Sequence, residues 1–291
     1  MINKTITQTK AKDFILRNAI SADTGRLLKL YDLIRALYDL WGVNNEPDIE
    51  MSVKIGKDKI HYNRYAIPVL GTPWVTLKMI EKILEGVEAP PQLLEVIQKR
   101  HTGRIRLIVG YDQDSGGKRV YFHEGDQAYG YEFKDHLNFY TKRYLLIEKA
   151  DYHRVVEHFK QLGLKKMLIE TLLDISPSEN WSQICARTNP QVNKENVMGY
   201  HISSSPKIRL NETKDKLSKL PGLINTGLSD KDFDLWLKKN EHSYLSWLGI
   251  ATDKNNQAEV TLYIRPDANE WDDRYRPNDF ISFFGQEIMN M

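Results

Sequence analysis

The sequence predicts an α/β (α+β) fold: a closed antiparallel barrel of about ten strands, ringed by outer helices. Three observations predict it. Strand-like segments come in pairs joined by short turns, and tight hairpins force antiparallel pairing because parallel strands need long crossovers. Helical segments separate the pairs. About ten antiparallel strands in one sheet tend to curl, and closure removes both edges. A flat sheet with helices on one face is the alternative. The chain is expected to form one domain over residues 1–291.

Each element has its own signal. Residues 22–41 carry Leu27, Leu28, Leu30, Tyr31, Leu33, Ile34, Leu37, Tyr38 and Trp41 at helical spacing. A strand pair follows at 49–55 and 59–70, turning at Gly56. Helices are expected at 74–86 and 91–101, with Pro91 suited to a first turn. Residues 104–111 and 118–123 alternate strictly around the turn Gln113-Asp114-Ser115-Gly116-Gly117. A third pair is expected at 129–133 and 141–148, then helices at 151–173 and 178–187. A fourth pair is read at 196–203 and 207–211, with helices at 214–220 and 230–240. The last pair, 244–251 and 259–265, is joined by a polar loop from Asp253 to Gln257.

If helices cover the barrel, the apolar strand face points outward. The period of two then sends Ile105, Leu107, Val109 and Tyr111 out, with Val120 and Phe122. Arg104, Arg106, Ile108, Gly110 and Asp112 point into the lumen, with Arg119, Tyr121 and His123. A barrel of about ten strands has room for a ligand. A basic residue and a tyrosine recur two apart: Tyr62 with Arg64, Arg119 with Tyr121, Lys142 with Tyr144, Tyr263 with Arg265. Converging cations suit a multiply charged anion such as a diphosphate. Tyrosine hydroxyls can bond phosphate oxygens, and ring faces can stabilise a carbocation. Tyr is also a favoured strand residue and Lys or Arg often lines a solvated face, so no single pair decides the matter.

Composition bounds the remaining classes. Lys plus Arg number 41 against 39 Asp plus Glu, so a strongly basic nucleic-acid binder is disfavoured. No apolar run reaches the roughly 18 residues of a membrane span, and no signal-peptide core opens the chain, so a cytoplasmic location without membrane or nucleic-acid partners is expected. The single cysteine, Cys185, excludes an internal disulfide and is read as helix packing. Glycine-rich nucleotide loops, zinc-protease and serine-hydrolase motifs are absent. Asp112-Gln113-Asp114 starts like a calcium loop, but position 12 is His123, so a tight turn is the better reading. His153 and Glu157 read as a surface pair, and Asp272-Asp273 as a solvated loop.

The stretch from Glu50 to Tyr65, EMSVKIGKDKIHYNRY, resembles the corresponding segment of the cyanobactin peptide prenyltransferases. Gly110-Tyr111-Asp112 and Gly117-Lys118-Arg119-Val120-Tyr121-Phe122 are similar to the family's next hairpin, which also resembles one in bacterial small-molecule aromatic prenyltransferases. Both groups share the ABBA fold, or PT-barrel, of ten antiparallel strands with helices outside. The resemblance implies prenyl transfer from an allylic diphosphate, dimethylallyl or geranyl, to an electron-rich side chain of a ribosomal peptide. It implies Glu50 as the base toward the acceptor. It also implies a diphosphate site drawn from Arg64, Arg119, Tyr121, Lys142, Tyr144, Tyr200, Arg209, Tyr263 and Arg265. Magnesium assists some members, and Asp112 is the candidate metal position. The rival expectations are a small aromatic or indole acceptor, a non-catalytic barrel holding a phosphorylated ligand, and an interaction protein using its Tyr and Arg faces.

Overall fold

The computed structural model describes residues 11–18, 24–40, 47–69, 77–100, 106–112, 116–124, 127–135, 137–148, 152–175, 181–189, 193–224, 230–253 and 255–266. Ten strands close into a barrel in which every neighbour along the chain is a neighbour in the sheet, and β1 pairs β10. All pairs are antiparallel. The flat-sheet alternative is thereby excluded.

The chain opens with helical residues 11–18 (α1) and α2, Thr24–Leu40. The first hairpin is β1, Glu50–Ile55, and β2, Ile60–Val69. Then come α3, Leu77–Gly86, and α4, Pro91–Arg100. Four strands follow without a helix: β3, Arg106–Asp112; β4, Gly117–Glu124; β5, Gln127–Phe133; β6, Phe139–Glu148. The expected helix at 151–173 is two helices, α5, Tyr152–Gln161, and α6, Lys166–Ile175. They part at Gly163, whose φ of 70° is a left-handed stop that glycine accepts without strain.

The next hairpin corrects the sequence reading. Residues 181–187 of the segment expected to be helical belong instead to β7, Trp181–Asn189. The two strands expected at 196–203 and 207–211 are one long strand, β8, Asn193–Arg209. Its register against β9 jumps between Ser203 and Ile208, so the apparent turn is an irregularity within a strand. Cys185 therefore lies on a strand, and its side chain is outside the described atoms. Helices α7, Leu210–Leu217, α8, Leu220–Ile224, and α9, Asp230–Lys239, lead to the last hairpin, β9, Tyr244–Thr252, and β10, Ala258–Arg265.

The barrel is apolar outside. Met51, Val53 and Ile55 of β1, Val120 and Phe122 of β4, and Val260, Leu262 and Ile264 of β10 are fully buried, as are Ile34, Ile80, Leu93 and Phe233 on the helices. Each such side chain contributes about 1.5–3 kcal/mol by leaving water. Val109 and Tyr111 join this wall as the alternation predicts, while Arg104 and Ile105 lie outside the described residues. With the apolar face used outside, the lumen is left to polar groups. No helix among the described residues is long and apolar enough to cross a membrane.

Candidate functional site

Two bulges decide which side chains reach the lumen. Between β1 and β2 the register runs Ser52 opposite Arg64, then Lys54 opposite His61. Two steps on β1 match three on β2, so an extra residue breaks the alternation. His61 and Arg64 both line the cavity. Tyr62 packs on the outside instead, with its ring 6.4 Å from that of Trp236 on α9. The expectation that Tyr62 and Arg64 share a face fails for this reason. On β9 the register passes from Trp247 opposite Tyr263 to Leu245 opposite Ile264, leaving Ser246 as the extra residue. The buried Ser246 hydroxyl donates to Glu50 Oε2 at 2.6 Å and approaches the Tyr263 carbonyl at 3.2 Å.

A line of alternating charges crosses one side of the lumen. Arg64 Nε lies 3.6 Å and Arg119 Nη2 3.7 Å from Asp112 Oδ2. Arg119 Nε and Lys142 Nζ then share Glu132, at 2.6 Å and 2.7 Å from its two oxygens. Across the cavity Lys54 pairs with Glu259 at 2.5 Å. Arg187 of β7 faces the same space, and its Nε is buried without a hydrogen-bond partner among the described residues. The lining thus holds five cations (Lys54, Arg64, Arg119, Lys142, Arg187) against three carboxylates (Asp112, Glu132, Glu259).

Burial alone would raise the Glu132 pKa, but Arg119 and Lys142 outweigh it and hold the carboxyl below its usual value. Lys142 is driven down to about 8, first by burial and then by Arg119 and Arg187, with Glu132 opposing. A half-buried cationic surplus of this kind suits an anionic ligand.

Beside the charges lies an arc of rings. Tyr121 and Tyr144 meet edge to face at 5.8 Å, Tyr144 and His201 at 5.4 Å, and His201 and Tyr263 tilt at 5.5 Å. Glycines make room for these rings. Gly130 stands opposite Tyr121 in register, and a Cβ there would come within 2.7 Å of the Tyr121 ring and 3.3 Å of Tyr144. Gly249 stands opposite His201, and a Cβ there would lie 3.2 Å from the Tyr263 ring. Burial raises the pKa of Tyr121, Tyr144 and Tyr263, so the phenols stay neutral. His201 falls to about 3, by burial and then by Arg187 and Lys142.

The structure brings together Arg64, Asp112, Arg119, Tyr121, Lys142, Tyr144 and Tyr263 around one cavity that opens to solvent. Glu50 is buried and is not among the residues lining the cavity; it is linked to β10 through the Ser246 hydroxyl, which also approaches the Tyr263 carbonyl. Three expected residues lie elsewhere. Tyr200 faces outward, stacked on His158 of α5 at 4.4 Å and bonded to Gln161. Arg209 is exposed, and its Nε donates to the Tyr244 hydroxyl at 2.9 Å. Arg265 is buried at the strand end against Asp48, 3.0 Å away, and does not line the cavity. The side chains of Arg106 and His123 lie outside the described atoms.

Lys54, Glu132, Arg187 and His201 escaped the sequence reading. For His201 the signal existed: Tyr200 lies beside it, and the apolar Ile202 and Tyr200 share the outer parity, which sends His201 inward. Arg187 had no such signal, because its segment was read as helix. Asp112 does not fit a protein-held metal. Two arginines flank it, and no group of three or more His, Cys, Asp or Glu side chains is arranged for a metal among the described residues.

No protein-family model and no curated protein matches the chain. Its likeness is to solved structures. One is 5-dimethylallyltryptophan synthase from Streptomyces coelicolor, with a TM-score of 0.61 at 10% identity, covering 91% of this chain and 97% of that one. The same enzyme in complex with DMASPP and Trp gives 0.58 at 10% identity over 91% and 95%. PriB, as a binary complex with product diphosphate, gives 0.57 at 11% identity over 92% and 97%. At these identities the likeness establishes the fold: a closed ten-stranded antiparallel barrel with helices outside, shared with those structures.

Proposed function

We propose that the protein is a prenyltransferase that moves an allylic group from its diphosphate to an electron-rich aromatic acceptor. One observation carries the reading. A surplus of half-buried cations, with Arg187 forming no ion pair with a carboxylate among the described residues, adjoins an arc of neutral ring faces in the same lumen. Cations alone would suit any phosphorylated ligand. Rings alone would suit any apolar one. The two side by side suit a molecule that is anionic at one end and becomes a carbocation at the other.

In this reading Arg64, Arg119, Lys142 and Arg187 hold the diphosphate through charge-assisted hydrogen bonds. Glu132 and Asp112 keep Arg64, Arg119 and Lys142 in place in the free protein. The C1–O bond breaks, and the oxygen leaves with the electron pair toward the cations. The faces of Tyr121, Tyr144 and Tyr263 stabilise the allyl cation and keep water from it. The acceptor attacks C1. Glu50, oriented by the Ser246 hydroxyl, accepts a proton from an acceptor N–H or O–H.

The tryptophan bound beside DMASPP in one fold neighbour favours an indole-type acceptor. A side chain of a ribosomal, cyanobactin-type peptide is the second reading, supported by the segment from Glu50 to Tyr65. A competition settles the choice. Purified protein receives dimethylallyl or geranyl diphosphate with tryptophan, indole and a panel of linear and cyclic peptides, with and without magnesium, and products are weighed by mass spectrometry. Mass gain on tryptophan or indole supports the first reading, and gain on peptides alone supports the second. Donor binding without any transfer would leave a non-catalytic barrel.

A further inference from the structure

We infer that His201 is a second proton acceptor of the lumen, switched toward the proton by an anion held at the neighbouring cations. The proton it takes belongs to the prenyl-transfer reading. The switch itself requires only an anion at Arg187 and Lys142.

The geometry starts with the arc. Of its four rings, three are phenols and one is an imidazole. A neutral phenol donates a proton far more readily than it accepts one, so His201 supplies the arc's only basic lone pair. That lone pair is uncommitted: His201 lines the cavity and makes no hydrogen bond among the described residues. The space before it is open because Gly249 has no side chain, and a Cβ there would stand 3.5 Å from Nε2.

The groups facing His201 explain the switch. Strand β6 presents Lys142 and Tyr144, β7 presents Arg187, and β10 presents Tyr263. From β9, Gly249 stands opposite His201, and no titratable group of that strand lines the cavity among the described residues. Further round, Arg119 and Tyr121 of β4 and Glu132 of β5 line the same cavity, with Glu132 engaged by Arg119 and Lys142. In the free protein burial, Arg187 and Lys142 together suppress the imidazolium. A diphosphate against those two cations cancels their repulsion and adds its own attraction. His201 then gains proton affinity only in the loaded protein, when a proton is about to be released.

The step balances. The allylic C1–O bond has broken, with its electron pair on the diphosphate. A ring carbon of the acceptor bonds to C1 and becomes tetrahedral, leaving the positive charge spread over the rest of the ring. Its C–H electron pair returns to the ring, and the proton goes to His201 Nε2. The imidazolium and the departing diphosphate then form an ion pair. Glu50 serves acceptors that lose an N–H or O–H proton, and His201 those that lose a C–H proton.

The test follows the imidazole directly. Protein labelled with ¹³C-histidine is titrated by NMR, with His201→Gln assigning the signal and inorganic pyrophosphate as the anion. His201 should remain neutral through the acid range in the free protein. Saturating pyrophosphate should raise its midpoint by at least one pH unit, a tenfold gain in proton affinity. Arg187→Gln should raise the free midpoint by itself and shrink the response. Pyrophosphate binding, seen by calorimetry, with an unmoved His201 midpoint overturns the switch. Absence of pyrophosphate binding overturns both the switch and prenyl transfer. With dimethylallyl diphosphate and ring-deuterated tryptophan, His201→Gln should show a primary isotope effect absent from the parent, with the donor KM unchanged. Parent-like turnover without an isotope effect contradicts the acceptor role.

Discussion

Gly130→Ala separates the ring arc from the charge line more cleanly than any change to a charged residue. The added methyl carbon would sit 2.7 Å from Tyr121 Cε1, 2.8 Å from Cδ1 and 3.3 Å from Tyr144 Cε2. Carbon atoms rest at about 3.5–4.0 Å, so the Tyr121 ring must retreat by about 1 Å. It has little freedom, because the Tyr144 edge meets it on one side and the Gly110 position lies within van der Waals reach on another. Overpacking of this kind costs about 1–3 kcal/mol. That corresponds to a Tm loss of roughly 2–12 °C, at about 2–4 °C per kcal/mol for a large domain. A displacement of about 1 Å at a reacting centre can cost about a hundredfold in rate.

The cations are not touched by this change. The donor Kd, measured by calorimetry, should therefore stay within about threefold while kcat falls on the order of a hundredfold. Adding Tyr121→Ala removes the clash and should return part of the lost Tm without restoring the rate. Unchanged kcat in Gly130→Ala would refute the ring-arc argument. So would a loss of donor affinity equal to the loss of rate.

The other predictions concern the charges. Glu50→Gln should lower transfer to an N–H or O–H acceptor by about 10²–10⁴ while donor affinity holds, and Ser246→Ala should reproduce part of that loss. Single-turnover rates beside donor Kd values check both. Arg187→Gln should weaken donor binding by roughly 10- to 150-fold, the worth of a charge-assisted hydrogen bond at about 1.5–3 kcal/mol, with little loss of Tm because no carboxylate is orphaned. Calorimetry and a thermal melt read this directly. Lys142, at about 8 in the free protein, sets the pH dependence. Bound anion favours its protonated form, so donor affinity should be flat below pH 8 and fall up to tenfold per unit above it. Stability runs the other way. Between pH 8 and the ordinary lysine value of 10.5 the unfolded chain holds the proton that the folded one has lost, so folding gains as pH rises through that window. Lys142→Gln should flatten the affinity profile.

Much of the barrel was legible because hairpins and amphipathic helices are local signals. Strict alternation from Arg106 to Asp112 and from Lys118 to Phe122 announced both the pairing and the face, and Arg119 and Tyr121 followed from it. Illegibility began where a strand departs from the period of two. The extra residue on β2 turned Tyr62 outward while keeping Arg64 within, and no local composition marks that bulge. In β7, Trp181 to Asn189 mixes Ile184, Cys185 and Ala186 in a run that fits a helix as well as a strand. Only pairing with β6 and β8 decides it, so Arg187 was lost with its strand. The pairing of Tyr263 with Arg265 assumed that a strand residue near the end still faces the cavity. Arg265 instead meets Asp48, a contact made across the chain.

The central claim is group transfer from an allylic diphosphate within the lumen. Its most direct measurement is mass-resolved transfer from dimethylallyl diphosphate, with tryptophan, indole and peptides offered together and pyrophosphate release followed in parallel. The account predicts one new prenyl group per pyrophosphate released, on an aromatic acceptor, and loss of both in Arg187→Gln at low donor concentration. Protein that binds the donor tightly yet releases no pyrophosphate with any acceptor would contradict it.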